Sequence, residues 1–273
     1  GVDDALAIIL AMRSPEISVE AITGVCGNTS LEKCVRNIHL TLDVLELQAI
    51  PEIARGEDQP LVGHLSFAGD IHGDDGLGDV TQLLGKDGRR IYPDPTYQLS
   101  PRHAVDVILE NTNRYLDELT IVAVGPLTNV ARAIIKNPDR MRRLQEIIIM
   151  GGAFETRGNV SHVAEFNIYS DPHAAQIVCE SGIPLIFVPL DVTRQALLSS
   201  EIISRYSQEG GVTATFVRDC TSRYVEFHQR SKNINGCFLH DPLAVAIAIR
   251  EDLVTLVPAQ VDVETAGNLT MGM

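Results

Sequence analysis

The chain has 273 residues, of which 45% are hydrophobic and 21% charged, with a formal net charge of -14. That length can bury one large core or two modest ones, and the balance is ordinary for an α/β enzyme. The negative charge excludes a surface that grips nucleic-acid phosphates or an anionic membrane, both of which need a basic face.

The first predicted element starts almost at once. Gly1-Val2-Asp3-Asp4 opens without an initiator Met, and residues 4–12 follow with helical spacing up to Ser14-Pro15. A tight Gly turn into a helix normally has a strand before it, so the opening reads as cut. Residues 17–24 are β-branched and strand-like, and residues 30–47 are helical with Ser30 as N-cap. The stretch 56–98 is Gly- and Asp-rich and weakly periodic, as in lids and binding loops. Ser100-Pro101 supplies a cap and a first-turn proline for a helix to about Glu110. Residues 119–124 form a buried-strand run, followed by Gly125-Pro126 and a helix to about Lys136. Residues 146–150 form another such strand, and Asp171-Pro172 starts the next helix. Residues 184–190 form the next strand, and Asp241-Pro242 starts a helix to Arg250.

Continuous apolar strands alternating with helices predict an α/β fold with a mostly parallel sheet covered on both faces, a Rossmann-like core. No repeat, low-complexity tract or linker divides residues 1–273, so one domain is expected. Ligands of such sheets bind beyond the carboxyl ends of the strands. The segments 24–28, 124–129, 151–167 and 191–192 are therefore candidate site loops. No run approaches the roughly 18 apolar residues of a membrane-spanning helix. The five cysteines, without paired spacing, read as reduced thiols of a cytosol-like compartment.

Two constellations carry chemistry. Asp3 and Asp4 open one apolar helical run and Asp241, beside His240, opens another more than two hundred residues later. Carboxylates gathered from distant helix starts suit a hard divalent cation, and a cation with bound water is a hydrolytic device. Each acid also suits a helix N-terminus, where negative charge is favoured. His240 is either a packed histidine at a helix start or a proton donor near its ordinary pKa. In the second constellation, Asn159, Glu165 and Asn167 sit between a strand end and a helix start. Amides and a carboxylate match vicinal hydroxyls, which both donate and accept, although a polar surface loop has the same composition. Asn28 is a further strand-end amide, or the turn residue before Ser30.

Taken together these segments resemble the inosine-uridine preferring nucleoside hydrolase family. Gly1-Val2-Asp3-Asp4-Ala5 looks like the tail of its Asp-x-Asp-Pro-Gly-x-Asp-Asp-Ala signature. Gly27-Asn28-Thr29-Ser30, His72-Gly73 with Gly76, Gly125-Pro126-Leu127-Thr128-Asn129, Met150-Gly151-Gly152, Glu165-Phe166-Asn167 and His240-Asp241-Pro242 follow in the family's order. The resemblance implies a single α/β domain, a bound Ca²⁺ and hydrolysis of the N-glycosidic bond of purine and pyrimidine ribonucleosides to ribose and free base. It implies Asp4, Asp241 and the Val124 carbonyl as Ca²⁺ ligands. Asp3, Asn28, Asn159, Glu165 and Asn167 would hold the ribose hydroxyls, and His72 and His240 would line the base side. Catalysis would involve Asp241 and His240, the latter assisting departure of the base. With no Trp to stack a purine and His240 present, broad specificity is the better expectation. A cytoplasmic homodimer or homotetramer is expected, with no nucleic-acid or membrane partner.

The chain departs from the pattern at its start. The family's general base is the Asp two residues before the signature Gly, a position that would precede Gly1. Residues 267–273 also read as the beginning of a strand motif that breaks off, so the chain is expected to be a fragment, inactive by itself. The alternative is a non-catalytic, Ca²⁺-dependent ribonucleoside-binding protein on the same fold. A Mg²⁺ phosphohydrolase using Asp3 and Asp4 lacks a nearby base for phosphate.

Overall fold

The computed structural model describes residues 1–64, 67–96 and 99–273. In chain order its main elements are α1 (Val2–Arg13), β1 (Ala21–Gly24), α2 (Leu31–Val44), β2 (Glu52–Arg55), α3 (Gly69–His72), α4 (Ala104–Arg114), β3 (Thr120–Ala123), α5 (Thr128–Lys136), α6 (Pro138–Met141), β4 (Glu146–Met150), α7 (Phe166–Ser170), α8 (Pro172–Cys179), β5 (Leu185–Val188), α9 (Leu190–Thr193), β6 (Leu197–Ser199), α10 (Ser200–Glu209), α11 (Gly211–Lys232), β7 (Gly236–Phe238) and α12 (His240–Ile249). β1 pairs with β2, and β3, β4 and β5 pair in that order, all parallel. β6 and β7 form a separate antiparallel pair. This is the single α/β domain that the alternation predicts.

The run Ile147–Met150 of β4 shows why the centre of the sheet is apolar on successive residues. Successive side chains of a strand point to opposite faces. Ile147 and Ile149 pack with Ile108 of α4, Ala131 of α5 and Ala175 of α8. Ile148 and Met150 pack with Val188 of β5 and with Ala244 and Ile247 of α12. A strand covered on both faces has no position left for a polar side chain.

Between β1 and β3 lies a slot of ≈ 740 Å³, lined by both strands and by Ala7 and Ile8 of α1, Ile38 of α2, Ile108 of α4 and Val245 of α12. Among the described residues β1 pairs only with β2, and β3 is hydrogen-bonded only to β4. Their facing edges therefore leave backbone groups without a ladder. The strand predicted over 17–24 is paired only from Ala21, and residues 17–20 line the slot instead.

Two local expectations change. The helix predicted at Ser100-Pro101 begins at Ala104, capped by His103, whose Nδ1 accepts from Val105 N–H at 3.4 Å. Ser100 is taken by β2: its N–H donates to Ile53 O, and its Oγ lies 2.5 Å from Glu52 Oε1. The long loop over 56–98 contains β2-side turns and α3, while its residues 65–66 and 97–98 lie outside the described residues.

Candidate functional site

Helix α1 packs along α12, and both helices start at the same place. Small buried side chains, Ala5 and Ala7 on one and Ala244 on the other, allow the close approach. The consequence is at their first turns. Asp3, Asp4 and Asp241 each offer a carboxylate oxygen, all within 4.8 Å of one another. Two helix N-termini favour negative charge there, yet three carboxylates at that range repel. Burial and the neighbouring Asp4 push Asp3 up to about 7. Burial, then Asp3 and Asp4, raise Asp241 well above the usual carboxylate range. Asp3 Oδ1 is buried without a hydrogen-bond partner. Asp241 does not cap its helix, which begins at His240 after Leu239 with no side-chain cap. An orphaned buried oxygen among converging carboxylates fits a hard cation with oxygen ligands, and the donor set holds no thiolate or imidazole that would favour a softer ion.

The second constellation closes over the first from the carboxyl ends of β3 and β4. Glu165 caps α7: its Oε2 accepts from Gly152, Asn167 and Ile168 N–H at 3.2, 2.9 and 3.2 Å. All three bonds fall on Oε2, which leaves Oε1 for a ligand. Burial still pushes Glu165 up to about 7. Asn167 Nδ2 donates to Met150 O at 3.0 Å and Val124 O at 3.3 Å, tying the ends of two strands together. Asn159 Oδ1 accepts from Phe166 N–H at 2.8 Å, and Asn28 Nδ2 lies 3.5 Å from Asp4 Oδ2.

A cavity of ≈ 290 Å³ is lined by Asp3, Asn28, His72, Val124, Asn159, Glu165, Asn167, His240 and Asp241. The sequence-predicted residues thus converge, with Asp4 in the acid cluster beside it. The volume is close to the lower end of small-ligand sites. His72 Nδ1 accepts Val2 N–H at 3.1 Å, and its ring centroid lies 5.4 Å from that of Tyr224. Burial holds His72 well below the usual histidine range. His240 overturns one expectation. Burial, aided by Lys232 and His228, pushes it down to about 3 instead of leaving it near neutrality. It is therefore a neutral imidazole, with Nδ1 2.7 Å from Thr193 Oγ1.

Sequence reasoning missed Tyr224, Phe227, His228 and Lys232 of α11 and Arg194 after α9, all of which line the cavity. The rings run on as a chain, Tyr224–His228 at 4.5 Å, His228–Phe238 at 5.1 Å and Phe238–His240 at 5.6 Å, with Lys232 Nζ 5.1 Å from the Phe238 ring centroid. The available signal was the helical spacing of Tyr224, Phe227 and His228, which alone reads as an ordinary core stripe. The cavity is acidic at one end and aromatic at the other, a surface for a molecule with hydroxyls at one end and a flat ring at the other.

Comparison with known proteins agrees with this geometry. The family model described as inosine-uridine preferring nucleoside hydrolase matches residues 1–273. A pyrimidine-specific ribonucleoside hydrolase RihA of Citrobacter koseri is 39% identical over 274 aligned residues, covering 100% of this chain and 84% of the relative. Among solved structures, a purine-preferring ribonucleoside hydrolase from Gardnerella vaginalis superposes with a TM-score of 0.91 at 35% identity, covering 100% of this chain and 84% of the other. A plant nucleoside hydrolase superposes with a TM-score of 0.91 at 30% identity, covering 100% and 83%.

Proposed function

The chain belongs to the inosine-uridine preferring nucleoside hydrolase family, and on that footing we propose that it serves Ca²⁺-dependent hydrolysis of the N-glycosidic bond of purine and pyrimidine ribonucleosides, releasing ribose and free base. The observation that carries the reading is the convergence of the three-carboxylate cluster, a hydroxyl-binding loop and an aromatic wall on one cavity.

Asp4, Asp241 and the Val124 carbonyl would hold the ion, which when bound supplies a Lewis acid that lowers the pKa of water. Asp3, Asn28, Asn159, Glu165 and Asn167 hold the ribose hydroxyls and fix the sugar against the acid end. Loss of the base leaves an oxocarbenium-like ribosyl cation, and the surrounding carboxylates favour that charge where it develops. His72 and His240 flank the base. As a neutral imidazole, His240 assists by donating an N–H to the departing ring.

On the family's pattern the Asp that takes a proton from the attacking water sits on a strand leading into Gly1. The slot supports that reading, because Gly1, Asp4, Asn28 and Val124 are among the residues that line it. A parallel strand there would end beside the acid cluster. The curated relatives and solved neighbours differ in their base preference, one pyrimidine-specific and one purine-preferring. The absence of Trp and the presence of His240 favour both base classes. All five cysteines are free, which fits a reducing compartment such as the cytoplasm, and no described helix is long and apolar enough to cross a membrane.

A reducing-sugar assay of the full-length protein on a panel of ribonucleosides tests the proposal. Ribose release from inosine and uridine without phosphate is expected. Strict dependence on inorganic phosphate, with ribose 1-phosphate as product, makes it a phosphorylase instead, and tight binding without turnover makes it a binding protein.

A further inference from the structure

Helix α9 has only four residues, yet its side chains reach both halves of the site. Asp191 Oδ2 and Oδ1 accept the N–H groups of Phe154 and Glu155 at 2.9 and 2.7 Å. Arg194, one residue beyond α9, donates to Thr156 Oγ1, Arg157 O and Gly158 O at 3.0, 2.8 and 3.2 Å. The backbone leading into Asn159 is thereby held from the α9 side. Leu190 anchors the helix: its side chain is fully buried against β4, β5 and α12, and its N–H donates to Gly152 O at 2.9 Å.

Thr193 reaches the other half. It is fully buried, and among the described residues its hydroxyl has one hydrogen-bond partner, His240 Nδ1, at 2.7 Å. A buried hydroxyl proton needs an acceptor, and a neutral imidazole has one acceptor nitrogen and one donor. If Thr193 donates to Nδ1, the ring proton stands on Nε2. His240 lines the cavity, so its remaining nitrogen is the one available to a ligand.

We infer that Thr193 is a positioning residue: it fixes the ring and the tautomer of His240 so that an Nε2–H donor, and not an acceptor, meets the nitrogen or carbonyl oxygen of the leaving base. This rests on the reading that His240 faces the base. It assigns the segment Asp191–Arg194 the task of holding sugar loop and base donor in one register, since both hang from the same turn. No bond forms or breaks at Thr193 or at the imidazole: the Nε2 proton stays on the ring and is shared as a hydrogen bond with the electron pair that the departing base gains, and solvent supplies the proton that the free base finally carries.

Two substitutions in the full-length enzyme test the assignment. Thr193→Val keeps the shape and removes the hydroxyl, while Thr193→Ser keeps the hydroxyl. Kinetics are compared on uridine and on p-nitrophenyl riboside, whose leaving group needs little assistance, and the ¹⁵N shifts of His240 report its tautomer. A preorganised hydrogen-bond donor to charge that develops in the transition state is worth about 10²–10³ in kcat, so Thr193→Val is expected to lower kcat on uridine by about tenfold or more, with KM nearly constant and a much smaller loss on the p-nitrophenyl substrate. Thr193→Ser should recover most of the uridine rate, and the parent should show the Nε2–H tautomer that Thr193→Val loses. Equal losses on both substrates, an undiminished uridine rate in Thr193→Val, or a parent with its proton on Nδ1 overturns this assignment alone. A parent that hydrolyses neither substrate overturns the functional reading and this assignment with it.

Discussion

Asp241 is buried in the first turn of α12, caps nothing, and stands within reach of two other carboxylates. A helix-terminal role leaves that arrangement without a reason, since burial and its neighbours oppose its ionisation. In the full-length protein, Asp241→Asn is therefore expected to lose the bound cation and nearly all turnover while remaining folded, because one carboxylate ligand of a hard ion becomes a neutral amide. Metal content and turnover are the measurements, and both unchanged would return Asp241 to the role of a helix-terminal charge. For His240→Ala, hydrolysis of purine nucleosides should slow by about 10²–10³-fold with KM little changed, and a rate within about threefold of the parent would remove the donor role. The type and place of His240 were legible in the sequence. Its depressed pKa was not, because burial and the distant Lys232 and His228 produce it.

Helix α11 was the least legible element. Tyr224, Phe227 and His228 lie at helical spacing, which reads as a buried stripe whether or not a ligand lies beside it. They belong to the site because α11 passes the cavity at the carboxyl ends of the strands. The strand predicted over 17–24 was legible in kind but not in extent, since pairing needs a neighbour and only Ala21–Gly24 has one. The slot between β1 and β3 is mainly apolar between polar ends, flanked by strand edges on both sides and covered by helices. A parallel strand there would satisfy both edges, which are otherwise templates for pairing with other chains. Hydrogen exchange should therefore be faster at Ala21–Gly24 and Thr120–Ala123 in the 273-residue chain than in the same chain extended upstream of Gly1 by its encoded residues. Identical protection in both would show that no strand enters the slot.

At the scale of the whole molecule, the acid cluster couples stability to pH and to the cation. Unfolded carboxyls titrate near 4, whereas the fold holds the protons of Asp3 and Glu165 up to about 7 and raises Asp241 well above the usual carboxylate range. Between those values these three carboxyls bind more protons folded than unfolded, so their own contribution to stability falls as pH rises, whereas the buried His72 and His240, held neutral in the fold, contribute the opposite slope below the usual histidine range. A cation that binds the ionised, folded cluster offsets the loss by mass action. Added CaCl₂ should accordingly raise Tm more at about pH 8, where the carboxyls of the cluster are ionised, than at about pH 5, where they hold protons. The same increment at both pH values, or none, would detach the cluster from cation binding.

From the amino-acid pattern alone the fold class was legible, and so were the strand-end segments and polar residue types that the structure gathers at one cavity. Those follow from local physics: alternating strand and helix patterns imply a parallel sheet covered on both faces, and such sheets place ligands at strand ends. Asp3, Asn28, Glu165, Asn167 and Asp241 were legible because each sits at a strand-to-helix junction marked by Gly, Pro or a capping residue. Long-range packing sets α1 and α12 side by side at their starts, so that acids more than two hundred residues apart meet within 4.8 Å. It alone brought α11 over the cavity, put Thr193 against His240 and left β1 and β3 on either side of a slot. Each of these depends on packing between elements distant in sequence, which sets mutual charge, burial and hydrogen-bond partners, and no local pattern of residues contains it.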